Sequence, residues 1–131
     1  MIKLKDFFIS RYYAFGHAFR GLWYVLRTQK NAWVHAVVTT LIVIVSLWLH
    51  ISTQSWAILV LTIALVWSAE FFNTAIEAVV DLASPVHHPL AKTGKDVGAA
   101  AVLIAALASV LIGLLILGPP LWARISPFLN R

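Results

Sequence analysis

Residues 56–82 read WAILVLTIALVWSAEFFNTAIEAVVDL. Up to Ala69 the stretch carries no charge. It is long enough to cross a hydrocarbon core of about 30 Å, which takes about 20 apolar residues. Four polar residues then interrupt it, Glu70, Asn73, Glu77 and Asp81, stepping by three, four and four. At about 100° per residue they fall within an arc of about 80° on one helix face. Glu70 and Glu77 lie about 10 Å apart along the axis. The segment therefore reads as a membrane-spanning helix with an acidic stripe at one end.

The rest of the chain agrees with a membrane fold. Of the 131 residues, 61% are hydrophobic and 11% charged, against about 25% charged in an ordinary soluble domain. Two further apolar runs, Trp33 to Leu49 and Val97 to Leu117, contain no Lys, Arg, Asp or Glu. The absence of cysteine removes disulfides, thiolate metal sites and cysteine nucleophiles together. The first 31 residues instead mix Phe8, Tyr12, Phe15, Phe19 and Leu22, at helical spacing, with six basic residues. This predicts an amphipathic helix lying in the membrane interface rather than a cleaved signal peptide.

The expected organisation is a single all-α integral membrane domain over residues 1–131. It has a surface helix over 1–31 and transmembrane helices over 32–50, 56–82 and 90–118. Pro89 is placed to open the last helix, and Gly118-Pro119-Pro120 to end it. Eight of the ten basic residues flank the N-terminal side of the spans. The positive-inside rule then puts the N-terminus and the 83–96 loop in the cytoplasm and the C-terminus outside. The net charge of +5 suits anionic lipid. Nucleic acid is not an expected partner, because so little of the chain lies outside the spans.

Ionisable groups inside a span cost several kcal/mol each, face a bundle interior, and mark functional paths. Asn73 alone reads as helix-to-helix glue. Three carboxylates on one stripe do not, because like charges so close repel unless a cation sits among them. Mg²⁺ takes oxygen ligands and fills the remainder of its shell with phosphate oxygens. Downstream, Lys92-Thr93-Gly94-Lys95-Asp96 stands at the mouth of the last helix, where two lysines and free N–H groups suit an anion. Neither a Walker A pattern nor a protein-kinase signature is present. Gly94 and Gly98, followed by Ala101, Ala105 and Ala108, form a small-residue face for close helix packing. The histidines form no zinc pattern.

The segments EFFNTAIEAVVD (70–81), SPVHHPLAKTGKD (84–96) and GAAAVLIAA (98–106) resemble the small prokaryotic lipid-kinase family that holds bacterial diacylglycerol kinase and undecaprenol kinase. The similarity runs ungapped from about Phe8 to about Ala106. Ala14-Phe15, Gly21-Leu22, Asn31 and His35 add to it, and HHPLAK at 87–92 is nearer the undecaprenol branch. The resemblance implies a homotrimer in the bacterial cytoplasmic membrane that transfers the ATP γ-phosphate to a lipid alcohol. It implies Glu70 as catalytic base, Asn73 as an orienting residue beside the substrate, and Glu77 as a ligand of Mg²⁺ beside the ATP phosphates. Lys95 and Asp96 match nucleotide contacts, His88 lies in the loop over the nucleotide, and Asp81 has a supporting role. Gln29 departs from the pattern: it stands where relatives carry a second metal-binding Glu among the metal and ATP contacts. A glutamine oxygen can ligate Mg²⁺ but brings no negative charge.

Undecaprenol is the expected acceptor, with diacylglycerol as the alternative. From another class, the stripe would suit a proton or cation relay in a small conducting protein. That reading expects carboxylates through the middle and outer half of the membrane, and here they gather at one side. Three helices alone enclose little space, so a site completed by a neighbouring subunit is expected.

Overall fold

The structure is a computed structural model and describes residues 4–129. Four helices follow one another: α1 (Leu4–Thr28), α2 (Lys30–Leu49), α3 (Thr53–Ala83) and α4 (Pro89–Leu129). No strand occurs among the described residues. The last three helices are each long and apolar enough to cross a membrane. Lys3 and Arg131, both counted in the charge asymmetry, lie outside the described residues.

The first helix leaves nearly all its side chains exposed, including Phe7, Phe8, Tyr12, Phe15 and Phe19, and buries Val25 alone. Its arginines lie over its own aromatic rings, Arg11 over Phe7 at 5.5 Å and Arg27 over Trp23 at 5.1 Å. Such an apolar surface needs lipid rather than water against it. Gln29 alone breaks the run into α2, with extended backbone at φ −100° and ψ 117°. This one-residue corner is packed by Val25 and Ala32 on its two sides, both buried.

The α2–α3 hairpin is held by His50, whose left-handed backbone (φ 52°, ψ 48°) caps α2. Ser52 then caps α3 by accepting a hydrogen bond from the Ser55 amide at 3.2 Å. Both devices lie within three linking residues and force α2 and α3 to run antiparallel.

The closest helix pair is α3 with α4. On α3 the buried positions are Leu59, Thr62, Val66, Glu70, Asn73 and Thr74, a ladder at three- and four-residue spacing. On α4 they are Gly98, Val102, Ala105 and Leu117. Part of the expected small-residue face is thus used: Gly98 and Ala105 are buried, while Ala101 is exposed. At Gly98 the approach is so close that a Cβ would overlap Asn73 Oδ1. The opposite faces, with Val37, Leu61, Leu65 and Leu103, are open and apolar, as lipid contact requires.

One expectation is corrected. The last helix does not stop at Gly118 but continues through Pro119, Pro120 and Pro127 to Leu129. Membrane helices tolerate proline where neighbouring helices re-satisfy the backbone. Here the extension packs back on α2, with the Arg124 guanidinium 5.3 Å from the Trp48 ring centre. Over its 41 residues α4 rises about 60 Å, twice the hydrocarbon thickness. An apolar groove of about 550 Å³, open on one side, lies between α2, α3 and α4.

Gly98→Ala should lower stability by about 1–3 kcal/mol through overpacking against Asn73. Gly113→Ala, whose Cβ meets nothing within 4 Å, should be neutral or stabilising. Thermal unfolding in detergent checks both; equal melting temperatures for the two variants would contradict the close packing at Gly98.

Candidate functional site

The acidic stripe descends from the interior to the surface. Glu70 is fully buried at 0% exposure, Asn73 is buried, Glu77 is half-buried and Asp81 is exposed. Glu70 continues the same face as Leu59, Thr62 and Val66, so helix packing turns its carboxylate into the protein rather than towards lipid.

At the inner level His35 of α2 brings its Nε2 to 3.7 Å from Glu70 Oε2. Neither Glu70 carboxylate oxygen nor His35 Nε2 has a hydrogen-bond partner. Unpaired buried polar groups cost about 1–3 kcal/mol each, and more when charged. Such groups are few in folded proteins, and a catalytic role or a bound water or ion accounts for those that occur. Trp67 packs edge-on against the His35 ring at 6.2 Å, and its Nε1 donates to Thr39 Oγ1 at 3.3 Å. Thr74 Oγ1 donates back to the Glu70 carbonyl at 2.9 Å.

One turn towards the surface, three side chains from two elements converge. Asn73 Nδ2 donates to Glu77 Oε1 at 3.1 Å. Gln29 Nε2 donates to Glu77 Oε2 at 3.5 Å across 48 residues of sequence. The corner between α1 and α2 is what delivers Gln29 here. Each Glu77 oxygen therefore faces an amide. Rotating either amide by half a turn would present an oxygen in place of the nitrogen. Asn73 Oδ1 is buried without a partner, beneath Gly98.

At the outer level Lys95 Nζ meets Asp81 Oδ1 at 2.5 Å, joining the end of α3 to the start of α4. Both are open to solvent, so the pair adds at most about 1 kcal/mol to stability. His88 is exposed and precedes Pro89. Its carbonyl accepts from the Lys92 amide at 3.1 Å, and its Nδ1 accepts from the Leu90 amide at 3.2 Å. Asp96 is exposed and takes part in neither the Glu77 nor the Asp81 cluster. Glu70, Asn73, Glu77, Gln29, Asp81 and Lys95 thus form a continuous series, and His88 and Asp96 stand at its rim.

Sequence reasoning passed over His35 as a partner of Glu70. The signal was available, since an ionisable side chain inside a span is a functional candidate by default. No group of three or more His, Cys, Asp or Glu able to hold a metal by themselves occurs among the described residues.

The arrangement places a buried carboxylate beside an apolar groove and a second, amide-flanked carboxylate between it and an exposed cationic rim. That is a geometry for bringing an apolar alcohol and a water-borne anion together. The comparisons with known proteins agree. The family model described as prokaryotic diacylglycerol kinase matches residues 16–117. Undecaprenol kinase of Bacillus subtilis (strain 168) is 43% identical over 119 residues, covering 91% of this chain and 94% of that protein. Diacylglycerol kinase of Synechocystis is 40% identical over 109 residues, covering 82% of this chain and 62% of that protein. Diacylglycerol kinase of Escherichia coli (strain K12) is 33% identical over 105 residues, covering 75% of this chain and 80% of that protein. The helices, the membrane spans and these relationships together make the chain a member of the prokaryotic diacylglycerol kinase family, a family of membrane lipid kinases.

Proposed function

We propose that this chain phosphorylates undecaprenol with ATP. The observation that carries the reading is Glu70: a buried carboxylate with no hydrogen-bond partner, one turn from the Asn73–Glu77–Gln29 cluster and beside an apolar groove. The similarity to an undecaprenol kinase over most of both chains supports that acceptor, with diacylglycerol as the second reading from the other relatives. The protein sits in the bacterial cytoplasmic membrane as a homotrimer, its N-terminus and the loop before Pro89 in the cytoplasm and its C-terminus outside. The distribution of basic residues supports this orientation.

The lipid hydroxyl approaches Glu70, which accepts its proton as the oxygen attacks the γ-phosphorus. The new O–P bond forms as the bond to the β-phosphate oxygen breaks, and ADP leaves. Asn73 orients the site by holding Glu77 at 3.1 Å. Lys95 and Asp96, with His88 above them, hold the nucleotide, and the phosphates compete with Asp81 for Lys95. Positioning and charge stabilisation supply most of the catalysis in such transfers.

A Mg²⁺ ion fits the donor set. One carboxylate, Glu77, is flanked by the amides of Gln29 and Asn73, and Mg²⁺ takes one or two carboxylates plus phosphate and water oxygens. When bound, the ion neutralises phosphate charge. Asp81 keeps Lys95 at the α3–α4 junction in the absence of nucleotide.

Glu70→Gln should lower phosphorylation by about 10²–10⁴-fold while leaving detergent elution and melting unchanged. Retained turnover in a folded variant would overturn the assignment of the base. Gln29→Glu, which adds a second carboxylate, should reduce the Mg²⁺ concentration at half-maximal rate by about tenfold. A Mg²⁺ titration of both proteins checks this, and coincident curves would separate Gln29 from the metal.

A further inference from the structure

We propose that the end of the bundle opposite the acidic stripe binds the phosphate of an anionic phospholipid headgroup, held by the Arg124 guanidinium where it lies over Trp48. The site is carried by the part of α4 beyond Gly118, outside the residues 16–117 that the family model matches. It stands apart from the phosphate-transfer reading and does not depend on it.

Helix periodicity sorts the side chains of this extension. Arg124 comes about two turns after Leu117 and so continues the face on which Leu117 is buried. Trp122, Ile125 and Leu129, spaced by three and four, fall on another face, and all are exposed. The extension is therefore amphipathic, with an apolar side that suits the membrane interface, where tryptophan is enriched. A helical side chain leans towards the N-terminus of its helix, which returns Arg124 towards the bilayer. Its guanidinium stands 5.3 Å from the centre of the Trp48 ring. Trp48 is the last residue but one of α2 and of the apolar run Trp33 to Leu49. The cation thus sits where the hydrocarbon ends and the headgroups begin.

No acidic side chain of the described residues answers it. Glu70, Glu77 and Asp81 occupy the other end of α3, the nearest of them about 25 Å along the axis from Thr53. Asp96 lies about 42 Å from Arg124 along α4. Asp6 is on α1, which joins the bundle through Gln29, at the far end of α2 from Trp48. The ion pairs among the described residues leave Arg124 out. The Trp48 ring attracts the guanidinium through its π face but brings no formal negative charge. A second copy inserted the same way brings no acidic side chain to this level either, so a subunit contact leaves the cation unanswered. The bilayer supplies the missing charge. A headgroup phosphate offers paired oxygen acceptors to the planar fork of an arginine. In an anionic phospholipid that charge is uncompensated, whereas a zwitterionic lipid answers it with its own ammonium group.

The test uses the full chain in vesicles of phosphatidylglycerol and phosphatidylcholine in equal amounts, one of the two carrying a photoreactive diazirine in its headgroup. Crosslinked peptides are mapped by mass spectrometry. Labelled phosphatidylglycerol should mark the segments around Trp48 and Arg124 about fivefold more than labelled phosphatidylcholine does. Arg124→Gln should remove that preference and leave the labelling of α1 by phosphatidylglycerol as in wild type. Arg124→Lys, which keeps the charge, should retain most of it. Equal labelling of these segments by the two lipids in wild type would overturn the proposal, and that comparison needs no variant. A preference that survives Arg124→Gln would overturn it as well. Crosslinks between chains at Trp122 in place of lipid label would make the segment a subunit contact and also overturn it.

Discussion

A carboxylate buried in a membrane span without a hydrogen-bond partner constrains everything around it. Glu70 cannot face lipid, so the face of α3 that carries it must be the packed face. Leu59, Thr62 and Val66 below it, and Asn73 above it, then occupy the interior together. Packing α3 closely enough to cover them requires a partner helix without side-chain bulk, and Gly98 of α4 meets that need against Asn73. The site and the tightest helix contact are therefore one feature. The same stripe of α3 packs closely against α4 at Asn73 and opens to solvent at Asp81.

The remaining elements deliver groups to that stripe. The hairpin capped by His50 and Ser52 folds α2 antiparallel to α3 and brings His35 to Glu70. The single extended residue between the surface helix and α2 is Gln29, and its side chain meets Glu77. Pro89 opens α4 so that Lys95, less than two turns on, reaches Asp81. Each connection is short, and each places one polar group within reach of α3. The polarity rises along the stripe from a dry carboxylate to an exposed ion pair, matching the passage from lipid to water that a lipid kinase must bridge.

Much of this was legible in the sequence, because membrane constraints are blunt. Apolar length found the three spans, and the three–four–four spacing of Glu70, Asn73, Glu77 and Asp81 found the face that the fold uses. Pro89 was legible as a helix start because its missing N–H is harmless there. The end of α4 was not. Gly118-Pro119-Pro120 carries strong local stop signals, yet tertiary packing against α2, including Arg124 on Trp48, carries the helix past them. The pairing of His35 with Glu70 and the groove beside it were also hidden. Both depend on how α2 leans on α3, which no local pattern encodes. Gln29 was visible only through resemblance; its corner backbone is a property of the junction rather than of glutamine.

The central claim is that this stripe moves phosphate onto a lipid alcohol. The most direct measurement offers purified protein undecaprenol and diacylglycerol in parallel, with Mg²⁺ and ATP labelled at the γ-phosphate. The account predicts label on the lipid fraction, and more on undecaprenol than on diacylglycerol. Label on neither lipid, from a protein that remains folded, would contradict it.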